Sequence, residues 1–258
     1  RAGDQQAAAF AQGVHAEGQA KLSLGTSAML DVHTGARPQG RPGAFPLALW
    51  RLPGQQTQFC VEGSVLTAGA VVEWLVALGL LARAEELDAL AGQVDSSDGV
   101  VLVPALQGLG TPWLEDGVRG LAVGLTRGTR AAHLARAAVD GIAQRCVDVA
   151  EALELGGEAL PVDGGLAGSA LFCQSLADLL GVPVERAAET ETSALGAALL
   201  AGLATGVLAD EVACRARRAA GARFVPQLDA TGRAARRARF AGAVARARAH
   251  AQASPRSA

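Results

Sequence analysis

The sequence predicts an α/β fold, and three observations carry that prediction. Short apolar or β-branched runs alternate with longer stretches whose apolar residues recur at helical spacing. Glycines mark the joints, most clearly at Val162-Asp163-Gly164-Gly165, where an apolar residue, an acid and two glycines read as a strand entering a tight turn. Further on, Glu191-Thr192-Ser193-Ala194-Leu195-Gly196-Ala197-Ala198 reads as a helix of small residues packed very closely against its neighbour. Together the last two suggest a nucleotide-binding lobe, although from Val162 to Gly165 alone a plain turn is the simpler reading.

Each element follows in order. Residues 1–12 read as a loop entering a short helix, with Gly3-Asp4-Gln5-Gln6 ahead of a run of alanines. Lys21 to Val32 reads as a strand pair turning at Gly25-Thr26-Ser27. Thr34 to Pro46 is rich in Gly and Pro and is expected as loop. Phe45–Trp50 and Thr57–Glu62 read as short strands. Gly63 to Leu81 places Val65, Leu66, Val72, Leu75 and Leu78 at helical spacing and is expected as one helix. Val100 to Pro104 is a short buried β-branched run, and Leu106 to Asp116 a loop punctuated by Gly and Pro. His133 to Leu155 is a long amphipathic helix with Leu134, Ala138, Ile142, Val149 and Leu153 near one stripe. Helices Leu171–Leu180 and Thr192–Leu203 flank a short strand, Val182–Glu185. From Cys214 onward arginines are many and acids few; Phe240, Val244 and Ala247 suit the buried side of a closing helix whose arginines face solvent.

Bulk properties bound the function. The chain has 258 residues, enough for one large domain or two small ones, and half are hydrophobic. A net charge of -2 gives no electrostatic reason to bind nucleic acid. Tyr is absent and Lys21 is the only lysine, a bias read as compositional. Cys60, Cys146, Cys173 and Cys214 are scattered without metal-ligand spacing, so they read as buried thiols in a reducing compartment. The best candidate membrane span, Ala68 to Ala84, is interrupted by Glu73 and carries Arg83. No signal peptide is visible. The chain begins with Arg1 rather than Met, inside what reads as a motif, so further sequence is expected upstream.

Several stretches in order resemble the FGGY family of carbohydrate kinases, and within it the glycerol kinases most. They are Gly3-Asp4-Gln5-Gln6-Ala7-Ala8, Gly25-Thr26-Ser27 and Gly108-Leu109-Gly110-Thr111-Pro112-Trp113. They continue with Arg119-Gly120, Gly124 to Thr129, His133-Leu134, Ala137 to Asp140, Val162 to Gly165, and Glu191 to Gly202. Order and spacing match from Arg1 to about Phe224. The resemblance implies the actin-like, ribonuclease-H-like fold, in which two lobes close over ATP and a polyol or sugar. Residues 1–14 would end the first lobe, 15–225 would form the nucleotide-binding second lobe, and 226–258 an Arg/Ala-rich helix and tail. The rest of the family's first lobe has no counterpart here.

What the resemblance implies for chemistry is ATP-dependent phosphorylation of glycerol to glycerol 3-phosphate with Mg²⁺. Such a reaction needs a base near the hydroxyl, a cradle for the phosphates and charge neutralisation. Asp4 matches the catalytic base, and Gln5 and Met29 match substrate-contacting positions. Gly25, Thr26, Gly69, Glu73, Gly165 and Ser169 match nucleotide-contacting positions. No residue matches a metal ligand. Read without the resemblance, Asp4 is a loop aspartate or helix cap, Gly25-Thr26 a β-turn and Glu73 an exposed helix residue. Three positions depart from the pattern: Glu73 stands for a usual Gln, Ser169 for a usual Asn, and Met29 for an aromatic. Ala122 is a smaller departure. Asp163 is expected to orient its turn or reach the nucleotide through water. His133 reads as structural, and Trp74 and Trp113 as core. The partners implied are ATP, ADP and glycerol, with no nucleic acid and no membrane, and homo-oligomerisation is left open. A cytoplasmic location is expected. A kinase for another polyol or sugar, and an isolated lobe that only binds nucleotide, are the competing readings.

Overall fold

The computed structural model describes residues 2–156, 159–189, 191–219 and 221–253. Arg1 and the last five residues of the tail expected over 226–258 lie outside the described residues. Strands β1 (Ala20–Leu24), β2 (Ala28–Gly35), β3 (Phe45–Trp50), β4 (Gln58–Val65), β7 (Leu160–Asp163), β8 (Val184–Arg186) and β9 (Arg223–Phe224) form one sheet in the order β3-β4-β2-β1-β7-β8-β9. Pairing is antiparallel from β3 to β1, parallel across β1-β7-β8, and antiparallel again at β9. A separate two-stranded ladder joins β5 (Val101–Val103) to β6 (Leu121–Val123). The fold class is therefore α/β, as expected.

Strand alternation gives the sheet two chemically different faces. Leu22, Leu24, Leu30, Val32, Val61 and Val65 are buried on one face, in a core shared with α2 (Gly69–Ala77), α4 (Ala131–Ala152) and α5 (Ala170–Leu180). The alternate positions, Lys21, Ser23, Asp31, His33, Glu62 and Ser64, line the other face. There α1 (Asp4–Ala11) and α6 (Thr192–Ala204) pack together. Phe10 of α1 meets Trp50 edge-on at 5.0 Å and shares a cluster with Leu199 of α6. The close packing expected after Thr192 is present: a Cβ at Gly196 would collide with the Ala7 carbonyl.

The helix expected over Gly63–Leu81 is corrected. Its first three residues continue β4, which pairs with both β2 and β3, and the helix itself spans only Gly69–Ala77. Central pairing overrides the helical spacing of Val65 and Leu66. Gly63 fits a strand here because a Cβ would lie 2.7 Å from Val149 of α4. The loop expected from Thr34 is shorter, since β2 continues to Gly35. The strand expected from Val182 starts at Val184, after Pro183, which has no N–H to donate. Short α3 (Leu87–Ala91) and α7 (Glu211–Arg215), and strands β6 and β9, are additional.

Helix α8 (Ala230–Ala253) closes the fold by burying Phe240, Ala243, Val244 and Ala247. The phenylalanine alone contributes roughly 1.5–3 kcal/mol by burial. Its arginines are not all solvated as expected. Arg237 reaches Asp148 at 2.6 Å and Glu151 at 2.7 Å on α4, and Arg248 pairs with Glu115. The four cysteines are buried free thiols. Among the described residues, no helix is long and apolar enough to cross a membrane.

Candidate functional site

The β1–β2 hairpin tip and two glycine turns build a cavity. At the tip, the Gly25 carbonyl accepts from Gly69 N–H at 2.9 Å, and the Thr26 carbonyl accepts from Ala68 at 2.9 Å and Ala70 at 3.1 Å. The tip is thereby pinned to the start of α2. Gly69 is confined to glycine by this approach, since a Cβ would stand 2.7 Å from the Gly25 carbonyl oxygen. The second turn leaves β7 at Asp163. Gly164 has φ +90°, and its missing Cβ lets the chain pass Leu24. Gly165 opens a short 3-10 turn to Gly168, with no atom within 4 Å of its Cβ position. Ser169 then caps α5, accepting from Phe172 N–H at 3.0 Å.

Gly25, Thr26, Gly69, Glu73, Gly165 and Ser169 all line one cavity of about 520 Å³. Residues from four separate parts of the chain are brought together there. Val72, Leu87 and Leu166 give it apolar walls, and Glu85 and Asp88 add carboxylates to that of Glu73. Asp88 carried no sequence signal, because it sits in α3, which no motif marks. Its Oδ1 accepts from the Ser169 hydroxyl and its Oδ2 from Leu171 N–H at 3.2 Å.

Asp4, Gln5 and Met29 lie outside that cavity, on the polar face of the sheet. Asp4 is exposed at the first turn of α1, where its Oδ1 accepts from Gln5 N–H at 2.8 Å. Lys21 Nζ donates to the Gln5 carbonyl at 3.4 Å and to Ser23 Oγ, and approaches Asp163 Oδ2 at 3.6 Å. Met29, half-buried, stands opposite Ser23 on one side and Ser64 on the other. The Gly25-Thr26 tip therefore separates the Asp4–Met29 face from the cavity.

Beneath α1 runs a buried polar network. Asp163 Oδ2 accepts from Gln12 at 2.6 Å and from Thr192 at 2.7 Å, tying the end of α1 and the start of α6 to β7. Desolvation by burial pushes the Asp31 carboxyl up, against the opposing charge of Lys21. Burial, and then the charge of Asp31 beside it, push Glu62 up to about 7. Burial also raises the Cys60 thiol, whose Sγ lies 3.6 Å from Asp31 Oδ1. These thiols are suited to packing rather than nucleophilic work.

Other expected structural residues have structural partners. His133 Nδ1 accepts from Arg130 N–H at 3.0 Å at the start of α4. Trp113 is stacked by Arg145, 4.5 Å from the ring centre, and Trp74 packs on the main core. Among the described residues, no group of three or more His, Cys, Asp or Glu converges to hold a metal ion.

A mixed sheet covered by helices on both faces, with a turn-lined cavity at its hairpin tip, defines the class: the α/β lobe of sugar and polyol kinases. The chain belongs to the FGGY family of carbohydrate kinases, whose C-terminal domain matches residues 20–205. It is 48% identical over 233 residues to a glycerol kinase of Citrifermentans bemidjiense, covering 88% of this chain and 47% of that protein. It is 47% identical over 254 residues to a glycerol kinase of Aromatoleum aromaticum, covering 95% of this chain and 51% of the other. A Plasmodium falciparum glycerol kinase solved with ADP superposes with a TM-score of 0.88 at 29% identity, over 95% of this chain and 50% of that one. The chain thus spans about half the length of the relatives it matches.

Proposed function

We propose that this chain supplies the nucleotide-binding half of an ATP-dependent glycerol kinase. The observation that carries the reading is the convergence of Gly25, Thr26, Gly69, Glu73, Gly165 and Ser169 on one cavity. In this reading the Gly25-Thr26 tip holds the phosphates, with the Thr26 hydroxyl as a donor. Gly165 gives the adenosine room, and Ser169 closes the far end. Asp4, across the tip, accepts the proton of the attacking hydroxyl, and Gln5 and Met29 face the polyol. Similarity to relatives named glycerol kinases supports glycerol as the acceptor.

Mg²⁺, when bound, would neutralise phosphate charge in a cavity that Glu73, Glu85 and Asp88 make acidic. Because no described acidic cluster fits it, no residue of this chain is assigned as its ligand and no step is routed through it. ATP use supports a cytoplasmic location. A second reading is a lobe that binds nucleotide without turnover. ADP titration, followed by Mg·ATP-dependent ADP release with glycerol and a polyol panel, separates the two. Binding with glycerol-dependent turnover supports the kinase; binding without turnover supports the bare lobe. Absence of binding overturns both.

A further inference from the structure

We propose that Asp88 reads the nucleobase, accepting a hydrogen bond from the exocyclic amine of a purine. This rests on the nucleotide reading above. Asp88 lines the cavity, and its carboxylate is held through both oxygens at the start of α5, by the Ser169 hydroxyl and the Leu171 N–H. A carboxylate only accepts, and each oxygen can take two hydrogen bonds. One position on each oxygen is used by these partners, so acceptor capacity is what Asp88 offers a ligand.

Ser169 has no free hydroxyl hydrogen to offer a ligand. Its single hydroxyl hydrogen goes to Asp88, while its oxygen takes the Phe172 N–H. The Ser169 and Asp88 side chains therefore offer a ligand acceptors and no donor. Carboxylates repel phosphate, so the polyanionic end of a nucleotide faces the Gly25-Thr26 tip and the base falls beside Asp88. Leu87 and Leu166 supply apolar contact for its ring. Adenine and guanine carry an amine to donate; hypoxanthine has none.

A purely structural Asp88 would act only by capping α5, and the test separates the two roles. ADP and IDP are titrated calorimetrically into the 258-residue chain and its Asp88→Ala and Asp88→Asn variants, with thermal melts reporting folding. The unsubstituted chain is expected to prefer ADP by about ten-fold, the worth of one hydrogen bond to a charged acceptor. Asp88→Ala brings the two affinities to near parity. Asp88→Asn can still accept from Leu171 but adds a donor, so the preference vanishes or turns toward IDP, whose O6 accepts. Should Asp88→Ala fail to fold, Asp88→Asn decides. Parity in the unsubstituted chain, or an unchanged ADP:IDP ratio in the variants, overturns the proposal while leaving nucleotide binding intact. Failure of the unsubstituted chain to bind either nucleotide overturns both this proposal and the reading beneath it.

Discussion

Lys21 and Asp163 lie 3.6 Å apart on neighbouring strands, both almost inaccessible to water. The only lysine of the chain is thus spent in the interior, where it links the Gln5 carbonyl, Ser23 and the acid that opens the glycine turn. Removing one partner of a buried pair strands the other charge. Lys21→Met is expected to destabilise the fold by about 3 kcal/mol. Asp163→Asn, which also weakens the Gln12 and Thr192 bonds, should cost at least as much, and the double variant less than the sum. Urea unfolding measures all three. Strictly additive losses would mean the two groups do not interact.

The contact between Gly196 and the Ala7 carbonyl makes a second prediction. Any Cβ at Gly196 must push α1 away from α6, because the obstacle is backbone rather than a side chain. Gly196→Ala should lower stability by about 1–3 kcal/mol despite alanine's better helix propensity. A neutral or raised melting temperature would show that the two helices can separate freely.

Much of the fold was legible because its signals are local. The Lys21–Val32 hairpin, the long α4 and the Asp163-Gly164 turn each carry their own periodicity or glycine. The strand hidden at Gly63–Val65 was not legible, because its identity depends on pairing with β2 and β3 and on contact with Val149. The six cavity residues were reachable through the family resemblance: Gly25, Thr26 and Gly165 lie in its ordered motifs, and Gly69, Glu73 and Ser169 match positions between them. Asp88 was not, since its meeting with Ser169 spans 81 residues and only the folded chain brings them together.

Gly165 and Gly69 separate cavity from packing. Gly165 has open space where its Cβ would be, whereas Gly69 does not. Gly165→Val should therefore leave the melting temperature nearly unchanged and weaken ADP binding by about ten-fold or more, as the side chain enters the cavity. Calorimetry beside a thermal melt is the check. Unaltered ADP affinity would remove Gly165 from the adenosine site.

Asp4 is exposed, and among the described residues its carboxylate accepts a local bond from Gln5 N–H, so replacing it should not disturb the fold. With this chain joined to the other half of a relative's length, Asp4→Asn is expected to lower glycerol-dependent ADP release by about 10²-fold or more. ADP affinity should stay the same, because Asp4 does not line the cavity. Turnover at the original rate would exclude Asp4 as the base.

Glu62 gives the polar face a pH signature. Its ordinary value is 4.5, and burial with Asp31 alongside pushes it up to about 7 in the folded chain. Between those values the unfolded chain has released a proton that the folded chain keeps. The folded state then binds more protons, so this group's contribution to stability falls as pH rises through the window. Below about 4.5 both states are protonated, above about 7 both are ionised, and the slope ends. Burial raises Asp31 in the same direction, while the charge of Lys21 opposes both. Glu62→Gln mimics the protonated form at every pH. Its melting temperature should match that of the unsubstituted chain near about pH 4.5 and exceed it near about pH 8. An equal offset at both values would trace the effect to the shape of the side chain and not to its charge.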